Sequence, residues 1–130
     1  MLAPSEFQNW TILMVDDRPD NLFPLRRVLQ HIGITVLVAS DGLQGLEALT
    51  RERPNVILVD LSMPVMDGWQ MLAEVKKNPA TAEIPMIAVT AHAMAGDKAK
   101  ALAAGFDGYI TKPFRPSEFL NILRKALVRI

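Results

Sequence analysis

Asp16, Asp17, Asp60, Thr90 and Lys112 are side chains that could handle phosphate, and each stands where a short apolar run stops. Residues 10–15 end at Asp16 and Asp17, residues 55–59 at Asp60, residues 86–89 at Thr90, and residues 108–110 run into Thr111 and Lys112. Three carboxylates brought within a few ångströms of one another repel and raise their own pKa values unless a hard divalent cation neutralises them. Mg²⁺ meets that demand, because it takes oxygen ligands, keeps several waters and bridges carboxylate to phosphate. An aspartate can also attack phosphorus and form an aspartyl phosphate, and Asp60 is the best placed of the three. Phosphoryl transfer asks a protein mainly for positioning and for charge on the equatorial oxygens, which the cation, the Lys112 ammonium and the Thr90 hydroxyl would supply. Taken singly, the same residues have ordinary roles: an Asp-Asp pair caps a helix, a threonine ends a strand, a lysine sits on the surface. They make a site only if the four runs are neighbouring parallel strands.

The rest of the chain supports that condition. Strand-like and helix-like segments alternate throughout, the pattern of crossover units on a parallel sheet, and open α/β sheets bind ligands at the carboxyl ends of their strands. Leu22, Leu25, Leu29 and Ile32 recur at helical spacing, so a first helix is expected within residues 20–32, stopped by Gly33. Pro24 must then lie in the first turn or distort it. Residues 34–39 read as a strand, and Ser40 or Asp41 caps a helix carrying Leu43, Leu46 and Leu49, with Gly45 a local weakness. Residues 55–60 are dense in Val, Ile and Leu without alternation, as in a central strand covered on both faces. In the segment after Asp60, Pro64 fixes one dihedral, Gly68 permits a positive one, and Asp67 can cap a helix running to Asn78. Residues 84–90 are expected as a fourth strand, an alanine-rich stretch at 91–104 as a shallowly packed helix ended by Gly105, and 107–111 as a short fifth strand. A last helix from about Ser117 should bury Phe119, Leu120, Leu123 and Leu127.

The bulk properties narrow the classes. A chain of 130 residues fits one domain with a substantial core. Half the residues are hydrophobic, and 14 Lys and Arg balance 14 Asp and Glu, which argues against disorder and against a nonspecific grip on nucleic acid. There is no cysteine, hence no disulfide, thiolate metal site or sulfur redox chemistry. The apolar runs are too short to span a bilayer and residues 1–9 lack the pattern of a signal peptide, so a soluble cytoplasmic protein that binds neither membrane nor DNA is the expectation.

Val15-Asp16-Asp17, Asp60 followed by Met63-Pro64 and Met66-Asp67-Gly68, Val89-Thr90-Ala91, the stretch Gly105 to Gly108, and Lys112-Pro113-Phe114 together resemble the receiver domain of two-component response regulators. The resemblance covers about residues 11–128 of a single domain at 1–130. It implies a flavodoxin-like, doubly wound sheet of five parallel strands in the order 2-1-3-4-5, with helices on both faces. It implies that Asp60 accepts a phosphoryl group from a histidine kinase or a histidine phosphotransfer protein. Asp16, Asp17, Asp60 and the backbone carbonyl of Ser62 would hold Mg²⁺, or Mn²⁺ in its place. Thr90 and Lys112 would be phosphate ligands, the Lys112–Pro113 bond would be cis, and Tyr109 would turn inward as Thr90 moves. The face of the fourth helix, fifth strand and fifth helix would then meet a downstream effector, with the chain a monomer or a weak phosphorylation-dependent dimer. It would catalyse only its own phosphorylation and dephosphorylation.

Other readings stay open on the residues alone. A haloacid-dehalogenase-like phosphatase also uses an Asp nucleophile, Mg²⁺, Thr and Lys, though with an Asp-x-Asp motif on the first strand where this chain has adjacent aspartates. A scaffold that keeps the fold without being phosphorylated is the other rival. The resemblance would also place Ser62 and His92 beside the route of water to an acyl phosphate, while Arg18 follows the acidic pair and Tyr109 alone reads as a half-buried aromatic.

Overall fold

In the computed structural model, residues 7, 9–91 and 94–128 are described, with the side chains at 19, 21, 127 and 128 left aside. The strands are β1 (Thr11–Val15), β2 (Thr35–Ala39), β3 (Val56–Asp60), β4 (Met86–Thr90) and β5 (Gly108–Thr111). They form one fully parallel sheet in the order β2-β1-β3-β4-β5. The helices are α1 (Phe23–His31), α2 (Gly42–Leu49), α3 (Gly68–Lys77), α4 (Asp97–Ala104) and α5 (Pro116–Val128). β3 is buried at every position, which is why its sequence shows no alternation.

Side-chain alternation along the strands divides the core in two. Ile12, Met14, Leu58, Ile87, Val89 and Ile110 face α1 and α5, where Leu25, Leu29, Phe119 and Leu123 complete the packing. Leu13, Val15, Ile57, Val59, Met86 and Ala88 face the other way, toward Met71, Leu72 and Val75 of α3 and Ala101 of α4. Each large side chain removed from water in this way contributes about 1.5–3 kcal/mol, and the two layers fix the sheet from both sides.

Several boundaries differ from the sequence expectation, with identifiable causes. Pro19 opens a 3-10 turn over Pro19–Leu22 and α1 begins only at Phe23, so Pro24 lies in its first turn, where no N–H is required. Leu43 is exposed on α2 rather than packed, while Gly45 sits where a Cβ would come within 2.8 Å of Met71 Cε. The fourth helix starts at Asp97, well after Ala91, because Gly96 takes a left-handed conformation with φ of 87°. The positive dihedral after Asp60 belongs to Val65 (φ 67°), not to Gly68. Gly68 is needed for another reason: a Cβ there would lie 2.6 Å from the Asp60 carbonyl oxygen. Leu127 and His92 fall outside the described side chains and residues.

Candidate functional site

The register of the sheet carries Asp16, Asp60 and Lys112 to one edge. β1 ends one residue before Asp16, β3 ends on Asp60, and β5 ends one residue before Lys112. By alternation all three point to the α1/α5 side, the parity shared by Met14, Leu58 and Ile110. Lys112 Nζ donates to Asp16 Oδ2 at 2.7 Å and to Asp60 Oδ2 at 2.9 Å. The remaining oxygens accept from the backbone two residues on, Arg18 N to Asp16 Oδ1 at 2.7 Å and Ser62 N to Asp60 Oδ1 at 2.9 Å. Both carboxylates are therefore locked in rotation by the loop that follows them. An aspartate at a strand end followed by a turn is the sequence signal for such a contact.

Asp17 completes the cluster from an exposed position, and ligand oxygens of Asp16, Asp17 and Asp60 lie within 4.8 Å of one another. Together with Arg18, Ser62, Ala91 and Lys112 these aspartates line a cleft of about 230 Å³. Asp16 is 1% exposed and Asp60 8%. Burial lifts the Asp16 carboxyl above its ordinary value, against the opposing pull of Lys112 and the Arg18 amide, and the Asp60 charge adds to the rise. Burial works against the Lys112 ammonium, yet its hydrogen bonds and the charges of Asp16 and Asp60 outweigh that and raise its pKa. Two carboxylates share one ammonium, so the lysine gains more from the arrangement than Asp16 does. Hard oxygen donors in negative excess are the chemistry that suits a divalent cation such as Mg²⁺. Ser62 also lines the cleft, and its amide is turned to Asp60.

Thr90 stands apart from this group. It ends β4 in register with Thr111, is buried, and shares the parity of Met86 and Ala88, so it belongs to the α3/α4 side and does not line the cleft. The backbone still ties it to the site, since Lys112 N donates to Thr90 O at 2.8 Å and Leu61 N to Val89 O at 2.9 Å. Tyr109 shares that parity, lies 8% exposed, and holds its hydroxyl buried without a hydrogen-bond partner among the described residues. Burial raises the phenol pKa and the negative charge of Asp97 pushes the same way, against the smaller opposing pull of the nearby Thr111 hydroxyl. The Lys112–Pro113 peptide bond is cis.

A parallel five-stranded sheet in this order, with an acidic triad and a lysine at its carboxyl edge, defines a class, and the family model for the response regulator receiver domain matches residues 12–124. The chain belongs to that family, and with it to two-component phosphorelay signalling rather than to the phosphatases. It is 39% identical over 114 residues to an uncharacterised 14.6 kDa protein of Leptolyngbya boryana, covering 88% of this chain and 87% of that one. It is 34% identical over 127 residues to the sensor histidine kinase CheAY of Helicobacter pylori, which spans 96% of this chain but only 15% of the kinase. Among solved structures, the receiver domain of sensor histidine kinase PA1611 from Pseudomonas aeruginosa, with a magnesium ion coordinated in its active-site cleft, superposes with a TM-score of 0.81. That match is 33% identical and covers 92% of this chain and 98% of the other. No helix among the described residues is long and apolar enough to cross a membrane.

Proposed function

We propose that Asp60 accepts a phosphoryl group from a phosphohistidine on a histidine kinase or phosphotransfer protein, in the cytoplasm, with residues 11–128 acting as one receiver unit. The observation that carries this reading is the bonded trio of Asp60, Lys112 and Asp16 at the mouth of a cleft that Asp17 completes. Asp16, Asp17, Asp60 and the Ser62 carbonyl would hold Mg²⁺, or Mn²⁺, which supplies charge neutralisation for the carboxylates and the incoming phosphoryl oxygens. The Ser62 amide holds the Asp60 carboxylate in one rotation. A carboxylate oxygen attacks phosphorus, the donor leaves with its bonding electrons, and the Lys112 ammonium stays within reach of a phosphoryl oxygen. Water then hydrolyses the acyl phosphate, which makes the signal self-limiting.

The modification adds about −1.5 to −2 charge and three strong acceptors at the edge where β4 ends. Thr90 is drawn toward it, and Tyr109, already turned into the core on the same side of the sheet, occupies the space released. The population shifts toward one arrangement of α4, and the α4–β5–α5 face meets an effector or a second copy in a weak dimer. Incubation with Mg²⁺ and acetyl phosphate should add one phosphate to the wild-type protein and none to Asp60→Asn. Equal labelling of that variant overturns the assignment.

A further inference from the structure

The acidic cleft holds a second cation that the phosphoryl-acceptor reading leaves without a task. Arg18 lines the cleft beside Asp16, Asp17, Asp60 and Lys112, and its side chain is exposed. Its backbone is fixed from both directions, by the 2.7 Å bond of its amide to Asp16 Oδ1 and by Pro19, which disfavours the helical region for the preceding residue (φ −125°, ψ 73°). Despite three carboxylates in the same cleft, its guanidinium forms no ion pair among the described residues, whereas Lys112 bonds two of them. The base of the side chain is thus held while its charged end stays available.

We propose that Arg18 is the residue that makes the metal-loaded cleft attractive to a dianionic phosphodonor, an inference that rests on Asp60 being the acceptor. Three carboxylates set against the Lys112 ammonium alone leave two negative charges, which a divalent cation only cancels. With Arg18 included the loaded cleft carries one positive charge, so a donor with two negative charges meets attraction instead of a neutral surface. The same charge works against the metal, because it repels a cation approaching the carboxylates. Arg18 therefore has opposite effects on two successive ligands, which a residue that merely supported the loop would not have.

The test measures phosphorylation of the full chain by acetyl phosphate at low ionic strength and saturating Mg²⁺, together with Mg²⁺ affinity from tryptophan fluorescence or calorimetry. Arg18→Ala is expected to slow phosphorylation about two- to fivefold, the range of an exposed charge interaction, while binding Mg²⁺ at least as tightly as the wild type. Arg18→Glu should be slower still, Arg18→Lys should restore the rate, and the differences should shrink as salt is raised. An Arg18→Ala rate equal to wild type at low salt overturns the proposal. So does slowing accompanied by weaker Mg²⁺ binding, or an Arg18→Lys variant as slow as the alanine one. Failure of the parent reading looks different: wild-type protein would remain unlabelled, or Asp60→Asn would be labelled.

Discussion

Helices α3 and α4 pack on the same face of the sheet and both lie one loop away from the acidic cleft, but they are held very differently. α3 buries Gly68, Met71, Leu72 and Val75 and opens with a reciprocal capping box between Asp67 and Gln70. Its first residue lies against the carbonyl of Asp60, too close for any side chain. α4 buries only Ala101, starts at Gly96 without a side-chain cap, and leaves Leu102 37% exposed. What joins the two is a small aromatic bridge, Trp69 edge-on to Phe106 at 5.6 Å with Lys100 of α4 5.3 Å above the Trp69 ring. The helix behind Asp60 is a stiff wall, whereas the helix beyond Thr90 rests on one buried alanine and is cheap to displace. The proposed switch needs that asymmetry, since an element that both anchored Asp60 and moved with a charge placed on it would lose the geometry of the site.

The contrast can be broken most directly by truncating one leucine on each helix. Leu72→Ala on α3 should cost about 2–5 kcal/mol in urea unfolding, as expected of a buried leucine, and Leu102→Ala on α4 well under about 1 kcal/mol. Comparable losses at the two positions would remove the distinction. A smaller effect is expected at the cleft. Lys112→Ala removes an ammonium 2.7 and 2.9 Å from two of the cleft carboxylates, so Mg²⁺ should bind roughly tenfold more tightly, about 1.4 kcal/mol. Titration of the variant by calorimetry checks this, and weaker binding would mean that the lysine organises the carboxylates more than it competes for them. The smallest effect belongs to Tyr109→Phe. Its hydroxyl is buried with no well-formed hydrogen bond among the described residues, so its loss should leave stability unchanged or raise it by up to about 1 kcal/mol.

Much of the site was legible because each of its residues terminates an apolar run, and a parallel sheet turns strand ends into a common edge. Asp16, Asp60 and Lys112 meet as that logic requires. Thr90 illustrates its limit: run ends give the edge but not the face, and a shift of one residue in parity puts Thr90 on the α3/α4 side with Tyr109 rather than in the cleft. The alanine-rich segment was read as helical from Ala91, since alanine propensity favours it, but Gly96 in a left-handed conformation sets the start of α4 at Asp97. Local pattern marks Gly68 as a turn glycine, whereas its actual constraint, the nearness of the Asp60 carbonyl, is a tertiary contact that no local pattern encodes. The amides of Arg18 and Ser62 are legible only through the aspartates that precede them at strand ends, because every residue other than proline carries an N–H.

The most direct test compares amide hydrogen exchange across the two helices before and after Asp60 is phosphorylated with acetyl phosphate and Mg²⁺. Altered protection is expected in α4 (Asp97–Ala104) and around Tyr109, with α3 (Gly68–Lys77) unchanged. Confirmed labelling of Asp60 with no change in α4, or with an equal change in α3, would contradict it.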